Sequence, residues 1–99
     1  MVSGTYRAQV NTPIGTKEGT LKLEEHDGAL SGLLHVLGGD TPIQNGVVDT
    51  DGNLSFSGTL QVPFIGALPF TFEGTHEGDA ISGTAVTKMG AIGISGSRV

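Results

Sequence analysis

Glycine recurs so closely along these 99 residues that no window is left for a helix of more than about two turns. Alternation takes the place of helical periodicity. Tyr6, Ala8 and Val10 alternate with Arg7 and Gln9, and Leu21 and Leu23 with Lys22 and Glu24. Leu54, Phe56, Leu60 and Val62 share one face against Ser55, Ser57, Thr59 and Gln61. Phe70 and Phe72 flank Thr71, and Ile92 and Ile94 flank Gly93. Such runs read as half-buried strands of an antiparallel sheet.

Two kinds of turn separate the strands, and they alternate. Polar turns fall at Asp27-Gly28, Asp51-Gly52 and Glu77-Gly78-Asp79. Asp-Gly between alternating runs signals a hairpin, because the type I′ turn needs positive φ at both central residues. Apolar turns are expected at Thr12-Pro13-Ile14-Gly15, Thr41-Pro42-Ile43, Val62-Pro63-Phe64-Ile65-Gly66 and Thr87-Lys88-Met89-Gly90. In an up-and-down meander one end is then acidic and the other carries a ring of apolar side chains. Ser-Gly follows each polar turn, at Ser31-Gly32, Ser57-Gly58 and Ser82-Gly83, and Ser3-Gly4 opens the chain. Four hairpin units in a circle imply a closed eight-stranded barrel over residues 1–99, one domain, with the last strand pairing the first. Closure removes the exposed edges of a small sheet.

Parity predicts an interior of Tyr6, Ala8, Val10, Leu21, Leu23, Leu30, Leu34, Val36, Leu54, Phe56, Leu60, Val62, Leu68, Phe70, Phe72, Ile81, Ala85, Ile92 and Ile94, joined by one or both of Val47 and Val48. Gly4, Gly32, Gly58 and Gly83 share that parity and let strands coil sharply. An eight-stranded barrel holds side chains alone or one small ligand. Small inward residues favour free volume, and the three phenylalanines favour filling.

Composition excludes several classes of function. Without cysteine there is no disulfide, thiolate metal site or cysteine nucleophile. A net charge of −5 gives no footprint for nucleic acid or an anionic membrane. No apolar run reaches a membrane span, and no leader pattern is present, so a cytoplasmic protein is expected.

Gly4-Thr5-Tyr6 on the first strand, with Arg98 on the last, resembles the calycin signature. Lipocalins and avidin-type barrels carry Gly-x-Trp there, covered by a basic residue near the end; here Tyr6 takes the tryptophan position. The short-hairpin meander is similar to the streptavidin-like branch, and its Thr-Pro-x-Gly turns resemble small bacterial barrels found alone or beside enzyme domains. The resemblance implies a barrel able to bind a small apolar molecule. Biotin is disfavoured, since avidin-type binding uses tryptophans and this chain has none.

The expected ligand-binding set is therefore Tyr6, Ile14, Leu34, Phe64, Ile65, Phe70, Met89 and Arg98. The apolar turns (Ile14, Ile43, Phe64, Ile65 and Met89, with Leu37 nearby) have three readings: the mouth of a ligand cavity, a surface for self-association or partner docking, or an inward plug. Arg98 shares the parity of Ile92 and Ile94 and is expected to stack on Tyr6. His26, His35 and His76 read as solvated, with no zinc spacing around them. Asp49-Thr50-Asp51-Gly52-Asn53 has part of a calcium loop but lacks its closing glutamate, so turn chemistry explains it. No catalytic triad motif and no phosphate loop with a helix behind it is present, and no catalytic residue, metal or cofactor is assigned. A non-catalytic module for a small hydrophobic or aromatic ligand is the first expectation. An accessory module docking a partner or a second copy, with outward Leu33 and Val86 as further contacts, is the second. A barrel isomerase or cyclase using Tyr6 and Arg98 is the third, and it requires both side chains to face a cavity.

Overall fold

The computed structural model describes residues 3–12, 15–36, 39–62 and 66–99. Its strands are β1 (Gly4–Thr12), β2 (Gly15–His26), β3 (Ala29–Val36), β4 (Gly39–Pro42), β5 (Gln44–Val48), β6 (Asn53–Val62), β7 (Gly66–Glu77), β8 (Ala80–Thr87) and β9 (Gly90–Arg98). β4 and β5 lie end to end against β3, so nine segments fill eight positions of one antiparallel sheet. β1 pairs β9, with Tyr6 opposite Arg98 and Val10 opposite Ile94, and this closes the up-and-down barrel. The described residues contain no helix.

The polar turns have the geometries their residues favour. Asp27 and Gly28 both take positive φ, 52° and 84°, which defines a type I′ hairpin. Asp49 to Asn53 forms a turn closed by Gly52 at φ 86°, with Asp49 N–H donating to Asn53 O. Gly78 at φ 57° is the first central residue of the Glu77–Ala80 hairpin.

One expected turn is corrected. Thr41 and Pro42 belong to β4, and Ile43 follows them into the core, 8% exposed. The reversal comes earlier, since Val36 already pairs with Gly39; residues 37–38 lie outside the described residues. Proline and flanking polar residues imitate a turn here. Pro42 is tolerated within a strand because its missing N–H lies on the side away from β3. Ile43 N–H donates to Gly32 O, so by alternation the peptide groups of Asp40 and Pro42 face β6. The β5–β6 register then shifts between Gln44 and Val47, where Asn45 has φ 54°.

Every residue of the expected interior set from Tyr6 to Ile94 is buried, and Ile43 joins them. Val48 packs half-buried against this core, whereas Val47 faces solvent. Phe56 stacks on Phe72 at 4.7 Å and meets Phe70 edge-on at 6.2 Å. The paired Gly74 and Gly83 do not leave free volume. A Cβ at either would come within 2.6 or 2.7 Å of the Phe72 ring, which lies over both. Tyr6, Ala8, Val10, Leu68 and Phe72 are wholly buried. The phenylalanine rings occupy the space beside the paired glycines.

Candidate functional site

The two ends of the barrel differ chemically. The end at which β1, β3, β6 and β8 finish and β2, β4, β7 and β9 begin is lined inside by Val10, Val36, Leu60, Val62, Leu68 and Ile92, all buried. Leu34 and Phe70 lie one layer deeper and are also buried. Thr41 is the buried polar residue among those described; its hydroxyl donates to Thr59 O at 3.4 Å, a long and weak bond. Met89 occupies the β8–β9 turn and is 50% exposed. Its N–H donates to Thr87 Oγ1, whose hydroxyl donates to Gly90 O. Ile14, Phe64, Ile65 and Leu37 lie outside the described residues.

Tyr6 and Arg98 belong to the opposite, acidic end. Arg98 Nη2 donates to Tyr6 Oη at 2.7 Å, and Arg98 Nη1 donates to Asp79 Oδ1 at 3.1 Å. The guanidinium carbon stands 5.3 Å from the Tyr6 ring centroid, within cation–π range. The bond to Tyr6, with Asp79 beside it, pushes Arg98 above the usual guanidinium range. Tyr6 is wholly buried beneath it, its hydroxyl held by the guanidinium. The expected set therefore divides: Leu34, Phe70 and Met89 share one half of the barrel, and Tyr6 and Arg98 close the other.

Reading all three histidines as solvated fails at one of them. His76 continues the inward parity of Phe70, Phe72 and Gly74, is half-buried, and its Nε2 is buried without a hydrogen-bond partner. That parity was present in the sequence; position beside a polar turn concealed it. His35 faces outward and contacts Asp40 at 2.6 Å with both side chains exposed, a pairing of small energetic weight. Among the described residues no group of three or more histidine, aspartate or glutamate side chains is placed to hold a metal. The Asp49 carboxylate is occupied by its own turn, accepting from Asp51 N at 2.8 Å, Asn53 N at 3.0 Å and Asn53 Nδ2 at 3.0 Å. The Asn53 bonds come first among the causes that hold its carboxyl below the usual range. No helix among the described residues is long and apolar enough to cross a membrane.

No protein-family model matches the chain, and no curated protein matches it. Solved structures do share its fold. A redesigned β-barrel, b11L5F_LGL, superposes with a TM-score of 0.69 at 13% identity, covering 99% of this chain and 91% of its own. A second redesigned β-barrel, mFAP1, bound to DFHBI, gives a TM-score of 0.63 at 14% identity, covering 99% of this chain and 94% of its own. At these identities the likeness is one of fold: a small, closed, eight-stranded antiparallel barrel.

Proposed function

We propose that this barrel is a non-catalytic binding protein for a small hydrophobic or aromatic molecule, taken at its apolar end. The observation carrying the reading is the lining of that end, where six buried aliphatic side chains surround the axis above Phe70, the Thr41 hydroxyl is the buried polar group among the described residues, and half-buried Lys17 lies opposite Val10. Such a lining favours a mainly apolar ligand with few hydrogen-bonding groups. Leu34 and Phe70 form the floor and Met89 stands at the rim; Ile14, Phe64 and Ile65, expected to join it, lie outside the described residues. Tyr6 and Arg98 we assign to closing the acidic end, as a covering basic residue does in the calycin pattern. That mFAP1, of the same fold, holds DFHBI supports a barrel of this size as a binder.

Titration with neutral apolar dyes, read by thermal shift and by NMR, tests the proposal. Shifts centred on Phe70 and Met89 are expected. A response spread evenly over the barrel, or none, overturns it.

Exposed Val86 and Met89, 62% and 50%, favour a second reading in which this part of the surface docks a partner or another copy. Light scattering across concentrations and co-purification test it. A concentration-independent monomer with no companion would remove it.

A further inference from the structure

We infer that the ligand of the apolar end is an apolar monoanion, an aliphatic or aromatic carboxylate whose charge is met by Lys17. The inference rests on the binding reading above and adds the ligand's charge to it. β2 alternates along its length. Leu21 and Leu23 are buried, and Lys17 stands in phase with them. Thr16 and Glu18, on either side of it, are exposed, whereas Lys17 is half-buried. Across the β1–β2 ladder it pairs with Val10, which is wholly buried. Strand alternation therefore turns Lys17 into the barrel at the level of the aliphatic lining. A lysine so placed lays its methylene stem along apolar neighbours and keeps its ammonium toward water. The stem extends the lining beside Val10, and the charge belongs to the opening.

No carboxylate shares that interior. Among the described residues Lys17 has no ion pair. Glu18 and Asp40, the carboxylates of β2 and β4 nearest this end, are exposed on the outer wall, and Asp40 contacts His35. The remaining carboxylates, Glu73 excepted, lie in or beside the turns of the opposite end. Residues 13–14, 37–38 and 63–65, outside the described residues, include no ionisable side chain. A second cation of this end, Lys88, is exposed in the β8–β9 turn beside Met89.

Distance and stoichiometry then choose the ligand. From Lys17 to Glu25 along β2 is roughly 26 Å of extended strand, about three screening lengths at physiological salt. The net charge of −5 is therefore felt weakly at Lys17, and an anion meets a local cation there. A carboxylate beside an ammonium gains a charge-assisted hydrogen bond that a neutral ligand lacks. One inward ammonium balances one charge, so a carboxylate is matched and a phosphate dianion is left half-neutralised. The aliphatic wall takes the rest of the molecule.

A matched pair of probes tests the charge: dansylaminoundecanoate and its methyl ester, titrated by dansyl fluorescence at neutral pH and low salt. The acid is expected to bind about tenfold or more tighter than the ester. Lys17→Met keeps the apolar stem and removes the charge. It is expected to weaken the acid to the level of the ester and to leave the ester within about twofold. Lys17→Gln makes the same comparison should the methionine variant fail to fold. Lys17→Arg should retain the preference for the acid, and Lys88→Met should leave it intact. Equal binding of acid and ester to the unaltered protein overturns the inference and leaves the binding reading standing. A preference that survives Lys17→Met, or that is lost in Lys88→Met instead, puts the counter-charge elsewhere and overturns the assignment to Lys17. If neither probe binds, the binding reading falls and the inference falls with it.

Discussion

Arg98 on the last strand donates to the hydroxyl of Tyr6 on the first, at 2.7 Å, across the seam that closes the barrel. The same guanidinium covers the Tyr6 ring and reaches Asp79 in the β7–β8 turn. One side chain thus joins two strands and a turn at the acidic end. Tyr6→Phe keeps the ring and removes the hydroxyl, and should cost about 1–2 kcal/mol. Arg98→Met should also lower Tm, and the double variant should fall short of the sum of the two. Denaturant midpoints of the four proteins check this coupling.

The Phe72 ring lies over Gly74 and Gly83, leaving no room for a methyl group on either. Gly83→Ala would bring a Cβ against both the ring and Gly74 Cα. A loss of about 2–3 kcal/mol or more is expected, as for other overpacked cores. Gly15→Ala meets no neighbouring atom, so its effect arises from the positive φ alone. Thermal melts of the two variants separate crowding from backbone strain.

Asp49 accepts three bonds within its turn, and these hold its carboxyl below the ordinary value of about 3.9. A depressed folded value means stability that is present above the unfolded pKa and lost as pH falls through the folded one. The Tm gap between the protein and Asp49→Ala should be constant above about pH 5 and shrink below about pH 4. A gap unchanged down to pH 2.5 would remove the carboxylate from the account.

His76 Nε2 is buried without a partner. Replacing such a group by an apolar one of similar shape is neutral or favourable. His76→Phe should therefore raise stability by up to about 1 kcal/mol, measured by urea unfolding at pH 7. A clear loss would reveal a hydrogen bond to an ordered water.

Leu68 is fully buried at the apolar end. Leu68→Ala should cost about 2–5 kcal/mol and leave a dry apolar void. Benzene should bind that void and recover part of the lost Tm. Leu21→Ala places its deletion in β2, and a comparison of the two locates the better-formed chamber.

The architecture was legible in the sequence because a half-buried strand writes its orientation in every second residue. Tyr6, Leu23, Phe56, Phe72 and Ile94 all lie where parity puts them. The Asp-Gly turns were equally readable, since the left-handed backbone of Asp27 and Gly28 is a local requirement. Thr41-Pro42-Ile43 misled because proline marks turns and unpaired strand edges alike; only the neighbouring strand distinguishes them. The candidate site was half legible. Parity buried Leu34 and Phe70, but no local signal says that Leu60, Val62 and Leu68 seal an end.

The sequence by itself determined the strand pattern, the acidic turns and the closed meander, because these follow from side-chain alternation and local backbone preference. The tertiary structure alone decided how the interior is occupied and how the strand edges meet. Phe72 fills the space beside Gly74 and Gly83 because β7 and β8 approach closely there. Pro42 fits within β4 because its nitrogen faces away from β3, and which edge faces which neighbour is settled by strand register across the whole barrel.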